Sequence, residues 1–148
     1  MEIRKPTTKE LDQLADLFNQ YRVFYGKPSD IPAGKEFLRE RMTNNESEIF
    51  VAIDVGSQFM GFVQLYPIFS STRMKRLWLL NDLFVAPGYR GRGISVFLIE
   101  KAKELCRATN ACGLLLETAK TNTVGNQLYP RTDFVLESDS NFYVWNLK

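Results

Sequence analysis

The 148-residue chain contains no histidine. That absence excludes Ser-His and Cys-His nucleophilic catalysis and imidazole metal ligands together, so whatever the protein catalyses, it does without imidazole, and no metal is expected. Cysteine is nearly as scarce: Cys106 and Cys112 cannot form a four-thiolate zinc site. They read as two reduced, largely buried thiols in a cytoplasmic protein. No excess of either charge is present, because 19 Lys and Arg stand against 17 Asp and Glu, a net +2. Such a balance holds neither a nucleic-acid backbone nor an anionic membrane, so neither partner is expected and any anion binding must be local. No apolar run approaches the roughly 20 residues that cross a bilayer, and Met1 to Pro6 carries no secretory h-region. What is present is 45% hydrophobic, 13% aromatic and 24% charged. This is too apolar for disorder, and the length predicts one domain over residues 1–148.

The pattern along the chain predicts an α/β fold. After a short strand over Glu2 to Lys5, Thr7 and Glu10 stand in capping-box spacing, and Leu11, Leu14, Phe18, Tyr21 and Tyr25 recur at helical intervals. Gly26-Lys27-Pro28 ends that helix, and a second follows Pro32. Two short strands, Ile49 to Ile53 and Phe59 to Tyr66, flank a turn at Asp54 to Ser57. Leu77 to Val85 is the longest strand candidate, stopped by Ala86-Pro87-Gly88. Ile94, Phe97, Leu98, Ala102, Leu105 and Cys106 then form one helical face, and Leu114 to Leu116 reads as a buried strand. Strand, helix and strand in this order make a parallel crossover. A short helix over Thr123 to Tyr129 and a closing hairpin, Phe134 to Leu136 with Phe142 to Leu147, complete a mixed sheet of six or seven strands with about four helices.

Chemistry becomes visible at Gly88-Tyr89-Arg90-Gly91-Arg92-Gly93-Ile94-Ser95, between the long strand and the amphipathic helix. A helix start leaves up to four amides unpaired at the positive end of the macrodipole, and glycines let a phosphate approach them. Two nucleotide motifs fail here. Ile94 stands where a P-loop needs lysine, and Val96 where a dinucleotide fingerprint needs its third glycine.

The segment Arg90-Gly91-Arg92-Gly93-Ile94-Ser95 resembles the acetyl-coenzyme A motif of the GCN5-related N-acetyltransferase (GNAT) superfamily: Gln or Arg, two residues, Gly, one residue, Gly or Ala. Ser95 departs at the last place. Asp82 to Tyr89 looks like that family's fourth strand and loop, and Asn122 through Leu128-Tyr129 to Phe134 resembles its second cofactor block, with Gly125 for the usual alanine and Asp133 for the usual glycine. Asp tolerates the left-handed turn required there. The resemblance implies a sheet splayed between its fourth and fifth strands, and an acetyl group moved from coenzyme A to a primary amine, a small molecule, by direct attack in a ternary complex.

By the same resemblance, the amides of Arg90, Gly91, Arg92, Gly93, Ile94 and Ser95 hold the pyrophosphate, Leu83 and Val85 pair with the pantetheine arm, and Asn122 bonds that arm from the other side. Tyr129 would protonate the leaving thiolate. The general base stays open: Asn81 occupies the usual glutamate position, leaving Asp82, Glu117 or a water chain. Asp82 points away from Asn81 by strand alternation unless a bulge redirects it. Tyr21, Phe24, Tyr25 and Asp30 lie where the family recognises its acceptor, with Asp30 available to an ammonium, although Tyr21 and Tyr25 also fall on the apolar stripe. A non-catalytic acyl-coenzyme A sensor of the same fold is the alternative function. The apolar run Phe142 to Trp145 suggests a homodimer.

Overall fold

The computed structural model describes residues 1–148. By packing, the chain divides into two compact units, Met1–Glu117 and Thr118–Lys148. In the first, β1 (Glu2–Arg4) leads to a 3-10 turn at Thr8–Glu10 and then to α1 (Leu11–Phe24). The Glu10 carboxylate accepts from the Thr7 amide at 3.2 Å and the Thr7 hydroxyl at 2.8 Å, as the capping spacing predicts. Helix α2 (Ile31–Thr43) begins two residues earlier than expected because Asp30 caps it, its carboxylate accepting from the Ala33 amide at 3.1 Å. Asp30 is thus the N-cap of α2.

Strands β2 (Glu48–Ile53), β3 (Phe59–Ser70) and β4 (Lys75–Val85) follow, then a 3-10 turn at Pro87–Tyr89, α3 (Ile94–Ala108) and β5 (Leu114–Leu115). The sheet runs β1-β2-β3-β4-β5, antiparallel throughout except for the parallel β4–β5 pair, so β4-α3-β5 is the crossover that the sequence predicts. Ile49, Val51, Ile53, Phe62 and Phe84 pack with Leu14, Leu17 and Phe18 of α1 and Leu38 of α2. On the other face of β2, the Phe50 ring meets Lys101 of α3. A sheet covered on both faces explains why β2 is buried along nearly its whole length instead of alternating. Helix α3 buries Ile94, Leu98, Ile99, Ala102 and Cys106. Ile99 joins the face, whereas Phe97, expected on it, is half exposed.

The second unit holds one helix, α4 (Thr123–Arg131). Asp133 after it adopts φ 71°, the left-handed turn anticipated for it. The closing hairpin is not formed. Residues 134–148 are irregular, so the sheet has five strands rather than six or seven, and β5 stops at Leu115. A strand needs a partner ladder as well as β-forming residues. Between the two apolar halves, Glu137 to Asn141 is polar, and Glu137 folds onto the Asp139 amide at 2.9 Å.

Candidate active site

The site is built around an irregularity in β4. Gln64 pairs with Asp82 and Leu65 with Leu80, so Asn81 is the extra residue of a β-bulge. Leu80 follows Leu65 to the α3 face, while Asp82 follows Gln64 to the α1 face beside Phe62 and Phe84. The bulge thus brings Asn81 and Asp82 together instead of opposing them: Asn81 Nδ2 donates to Asp82 Oδ1 at 2.9 Å. Tyr21 of α1 donates its hydroxyl to the same oxygen at 2.8 Å, and Gln64 Nε2 donates to Oδ2. Ser47 in turn donates to Gln64 Oε1 at 2.8 Å, which fixes the amide's orientation.

Asp82 is only 3% exposed. Burial pushes its carboxyl above the usual range, and the three donors from Gln64, Tyr21 and Asn81 oppose this without cancelling it. Burial, together with the neighbouring carboxylate, raises Tyr21 further and pushes Tyr66 up to about 12. The Tyr21 ring is held edge-on by Phe62 at 5.6 Å and by Tyr25 at 5.1 Å. Tyr21 is therefore a half-buried, hydrogen-bonded side chain, and Tyr25 is 48% exposed rather than in the core.

Beyond the bulge, β4 has a strand on one side only, because β5 pairs with Trp78 and Leu79 alone. The Ala86 amide donates to Met60 across β3 at 2.9 Å. Alternation then turns the peptide groups of Phe84 and Asp82 toward β3 and those of Leu83 and Val85 toward the open edge. This is the splay that the resemblance implies. The edge runs into the glycine turn, where Gly91 (φ 77°) and Gly93 (φ 74°) hold left-handed conformations that a β-carbon disfavours. Gly93 sits directly before α3, and nothing stands within 4 Å of where a Cβ on Gly91 would lie. Open glycines, helix-start amides and two nearby guanidiniums fit a pyrophosphate.

The arginine side chains themselves are engaged. Arg90 Nε donates to the Val85 carbonyl at 2.9 Å, and its guanidinium lies over the rings of Phe24 (5.1 Å) and Phe84 (5.4 Å). Arg92 lies over Tyr89 at 5.4 Å, and Tyr89 donates to Asp54 at 3.2 Å. Glu117 is exposed, two residues past β5. In the second unit, Asn122 caps α4: its carbonyl oxygen accepts from the Gly125 amide at 3.1 Å, and its amide nitrogen donates to Thr118 at 2.8 Å. Tyr129 is half-buried on α4, its ring 5.7 Å from that of Phe134.

The model of the acetyltransferase (GNAT) family matches residues 11–134. The chain belongs to that family. An uncharacterised N-acetyltransferase of Bacillus subtilis (strain 168), YhfO, is 42% identical over 142 residues, spanning 96% of this chain and 93% of that one. The crystal structure of a probable acetyltransferase superposes with a TM-score of 0.95 at 35% identity, covering 100% of this chain and 99% of the other. The streptothricin acetyltransferase of Streptomyces lavendulae is 28% identical over 137 residues, 86% of this chain and 68% of its own. The protein is thus an N-acetyltransferase of GNAT type, and the sensor alternative gives way to an enzyme.

Within this acetyltransferase, one member of the Asp82 cluster, Gln64, escapes the reading of motifs altogether. The available signal for Gln64 was its place as the one polar residue in the run Phe59 to Tyr66. A polar side chain buried mid-strand requires a partner. Tyr21 was expected on the acceptor side, but its pairing with Asp82, 61 residues away, carried no such mark.

Proposed function

We propose that this GNAT enzyme moves an acetyl group from acetyl-coenzyme A to a primary amine of a small molecule by direct attack in a ternary complex, with residues 1–148 acting as one N-acetyltransferase domain in the cytoplasm. The observation that carries this reading is the open edge of β4 at Leu83 and Val85, running directly into the left-handed glycine turn. A coenzyme A arm can add to the edge as a strand, while its pyrophosphate meets the amides of residues 90–95. When bound, it supplies a thioester-activated acetyl group.

The chain's residues divide the remaining work. The Val85 amide faces the open edge and is a donor for negative charge developing on the acyl oxygen. Tyr129 is the proton donor to the leaving thiolate. Asp82 is the proton acceptor, favoured over Glu117 because burial lifts its carboxyl toward the working range while Glu117 lies in solvent. The aromatic rim of Tyr21, Phe24, Tyr25 and Phe84 around one carboxylate suits an alkyl or aryl ammonium, and one relative takes its name from the small molecule streptothricin. The free thiols Cys106 and Cys112 accord with a reducing compartment.

The experiment is calorimetric titration with acetyl-coenzyme A, followed by thiol release across a panel of amines. Saturable binding with amine-dependent release is expected, and the absence of binding overturns the reading.

The enzyme further acts as a homodimer. Phe142, Tyr143, Val144, Trp145 and Leu147 are all mostly exposed. With aromatic side chains burying about 150–250 Å² each, this segment offers on the order of 800 Å² per protomer, what a standard interface buries on each partner. It pairs with the same segment of a second copy across a twofold axis.

A further inference from the structure

Asp82 is buried, and the groups facing it are neutral. They are Tyr21 from α1, with Tyr25 beside its ring, Gln64 and Tyr66 from β3, and Asn81 from β4; Arg41 of α2 acts on Tyr66 rather than on the carboxylate. A carboxylate enclosed in this way cannot itself reach an acceptor amine. Gln64 blocks Oδ2 from the β3 side and is locked by Ser47. At Oδ1 the two donors differ in chemistry. The Asn81 amide donates but exchanges no proton, whereas the Tyr21 hydroxyl both donates and accepts. Tyr21 also keeps some exposure to solvent where Asp82 is buried, and its oxygen lies 3.4 Å from the Asn81 carbonyl at the bulge. Its ring is fixed by Phe18, Phe62, Phe84 and Tyr25, which aims the hydroxyl.

We propose that Tyr21 is a proton relay, through which the acceptor ammonium delivers its proton to Asp82. This rests on the amine-acetylation reading above. An N–H bond of the ammonium breaks and its proton passes to Tyr21 Oη, while the Tyr21 hydroxyl proton passes to Asp82 Oδ1. The electron pair stays on nitrogen. Tyr21 is neutral before and after, the ammonium becomes a neutral amine, and the carboxylate becomes a neutral acid. No tyrosinate forms, in keeping with the strong upward push on the Tyr21 hydroxyl. The buried charge is discharged when the nucleophile is made, and the reverse path returns the proton after turnover. The bulge at Asn81 makes this route possible, since without it Asp82 would face α3.

The test uses the full-length Tyr21→Phe enzyme, which keeps the ring and its packing. Loss of the relay lowers kcat at least about tenfold, leaves the KM for acetyl-coenzyme A in place, and moves the acid limb of kcat/KM to higher pH, because one donor to the ionised carboxylate is gone. Rates in H2O–D2O mixtures add a signature that a merely structural role does not move. The unaltered enzyme gives the curved dependence of two protons in flight, and Tyr21→Phe a linear one. Asn81→Ala, which removes a donor but not the relay, shifts the acid limb upward and keeps the curvature. An unshifted limb in Tyr21→Phe, or a linear dependence in the unaltered enzyme, overturns the relay. Thioester cleavage by the unaltered enzyme tests the acetyl-transfer reading alone. NMR titration of the 13C-labelled Asp82 carboxyl tests the pairing with no substrate: it rises in Tyr21→Phe, and an unmoved titration defeats the relay even in an active enzyme.

Discussion

Replacing Asp82 by Asn separates what the buried carboxylate does for catalysis from what it does to stability. In the folded chain its pKa lies above the ordinary 3.8, chiefly through desolvation. The fold therefore prefers the protonated form: the contribution to stability is fully present below the unfolded pKa and is lost as pH rises through the folded one. At 3% exposure, solvent screening does not dilute this effect. One proton bound by the folded state and not by the unfolded state gives a slope of up to about 1.4 kcal/mol per pH unit within that window. For a chain of this size this is roughly 3–5 °C in Tm per unit. Asp82→Asn has no such slope. Its amide takes over the geometry once Gln64 turns over and Ser47 accepts from Gln64 Nε2 instead of donating, the new amide accepting from Tyr21 and Asn81 on oxygen and donating from nitrogen to Gln64 Oε1. Thermal melts of both proteins from pH 4 to 8 should coincide within a degree or two at the acid end and diverge above it, with the Asn variant the more stable. Its kcat should fall about 10²–10⁴-fold, the usual contribution of a general base. Parallel melting curves across the whole range would falsify the assignment of Asp82 as the buried, raised carboxyl.

Four further outcomes follow from particular contacts. Tyr129→Phe should lower kcat at least about tenfold with acetyl-coenzyme A affinity nearly unchanged by calorimetry; unaltered turnover removes Tyr129 from the mechanism. Gly93→Ala forces a β-carbon onto φ 74°, about 1–2 kcal/mol of strain, and should weaken acetyl-coenzyme A binding about tenfold; equal affinity sinks the loop assignment. A Cβ on Gly61 would stand 2.7 Å from the Phe84 carbonyl oxygen and 3.3 Å from Val85 Cα, so Gly61→Ala must part β3 from β4 at the site's edge. Urea unfolding should register a loss of about 1–3 kcal/mol, and a loss under 0.5 would mean the strands yield freely. Phe142→Ser with Trp145→Ser should convert a dimer to a monomer by light scattering, and a native protein already monomeric at tens of micromolar refutes the arm-to-arm interface.

Much of this protein was legible from its residues because much of it is local. The Thr7–Glu10 pair starts its helix through contacts three residues apart, and glycine and proline at 26–28 close α1. The 94-98-102-106 rhythm makes the α3 face, and glycines at 91 and 93 mark the left-handed turn. Each of these depends on backbone geometry within a turn or two, so sequence spacing carries it. The resemblance of Arg90 to Ser95, set between a strand and a helix, was enough to indicate the family.

Tertiary structure decided the rest, wherever one residue's role depends on a distant partner. Whether Asp82 faces Asn81 could not be settled by alternation, because the bulge is a mismatch of register between β3 and β4 that neither strand reveals alone. The pairing of Tyr21 with Asp82 joins positions 61 apart through the packing of α1 on the sheet. Asp30 is a helix cap and Glu117 lies in solvent, distinctions that composition leaves open for any carboxylate. The unformed hairpin makes the same point from the other side. Phe142 to Leu147 has the residues of a buried strand, but burial is conferred by neighbours, and here the fold supplies none. What the fold adds to an acetyltransferase without histidine is a buried carboxylate, Asp82, that the β3–β4 register sets beside Tyr21 of α1.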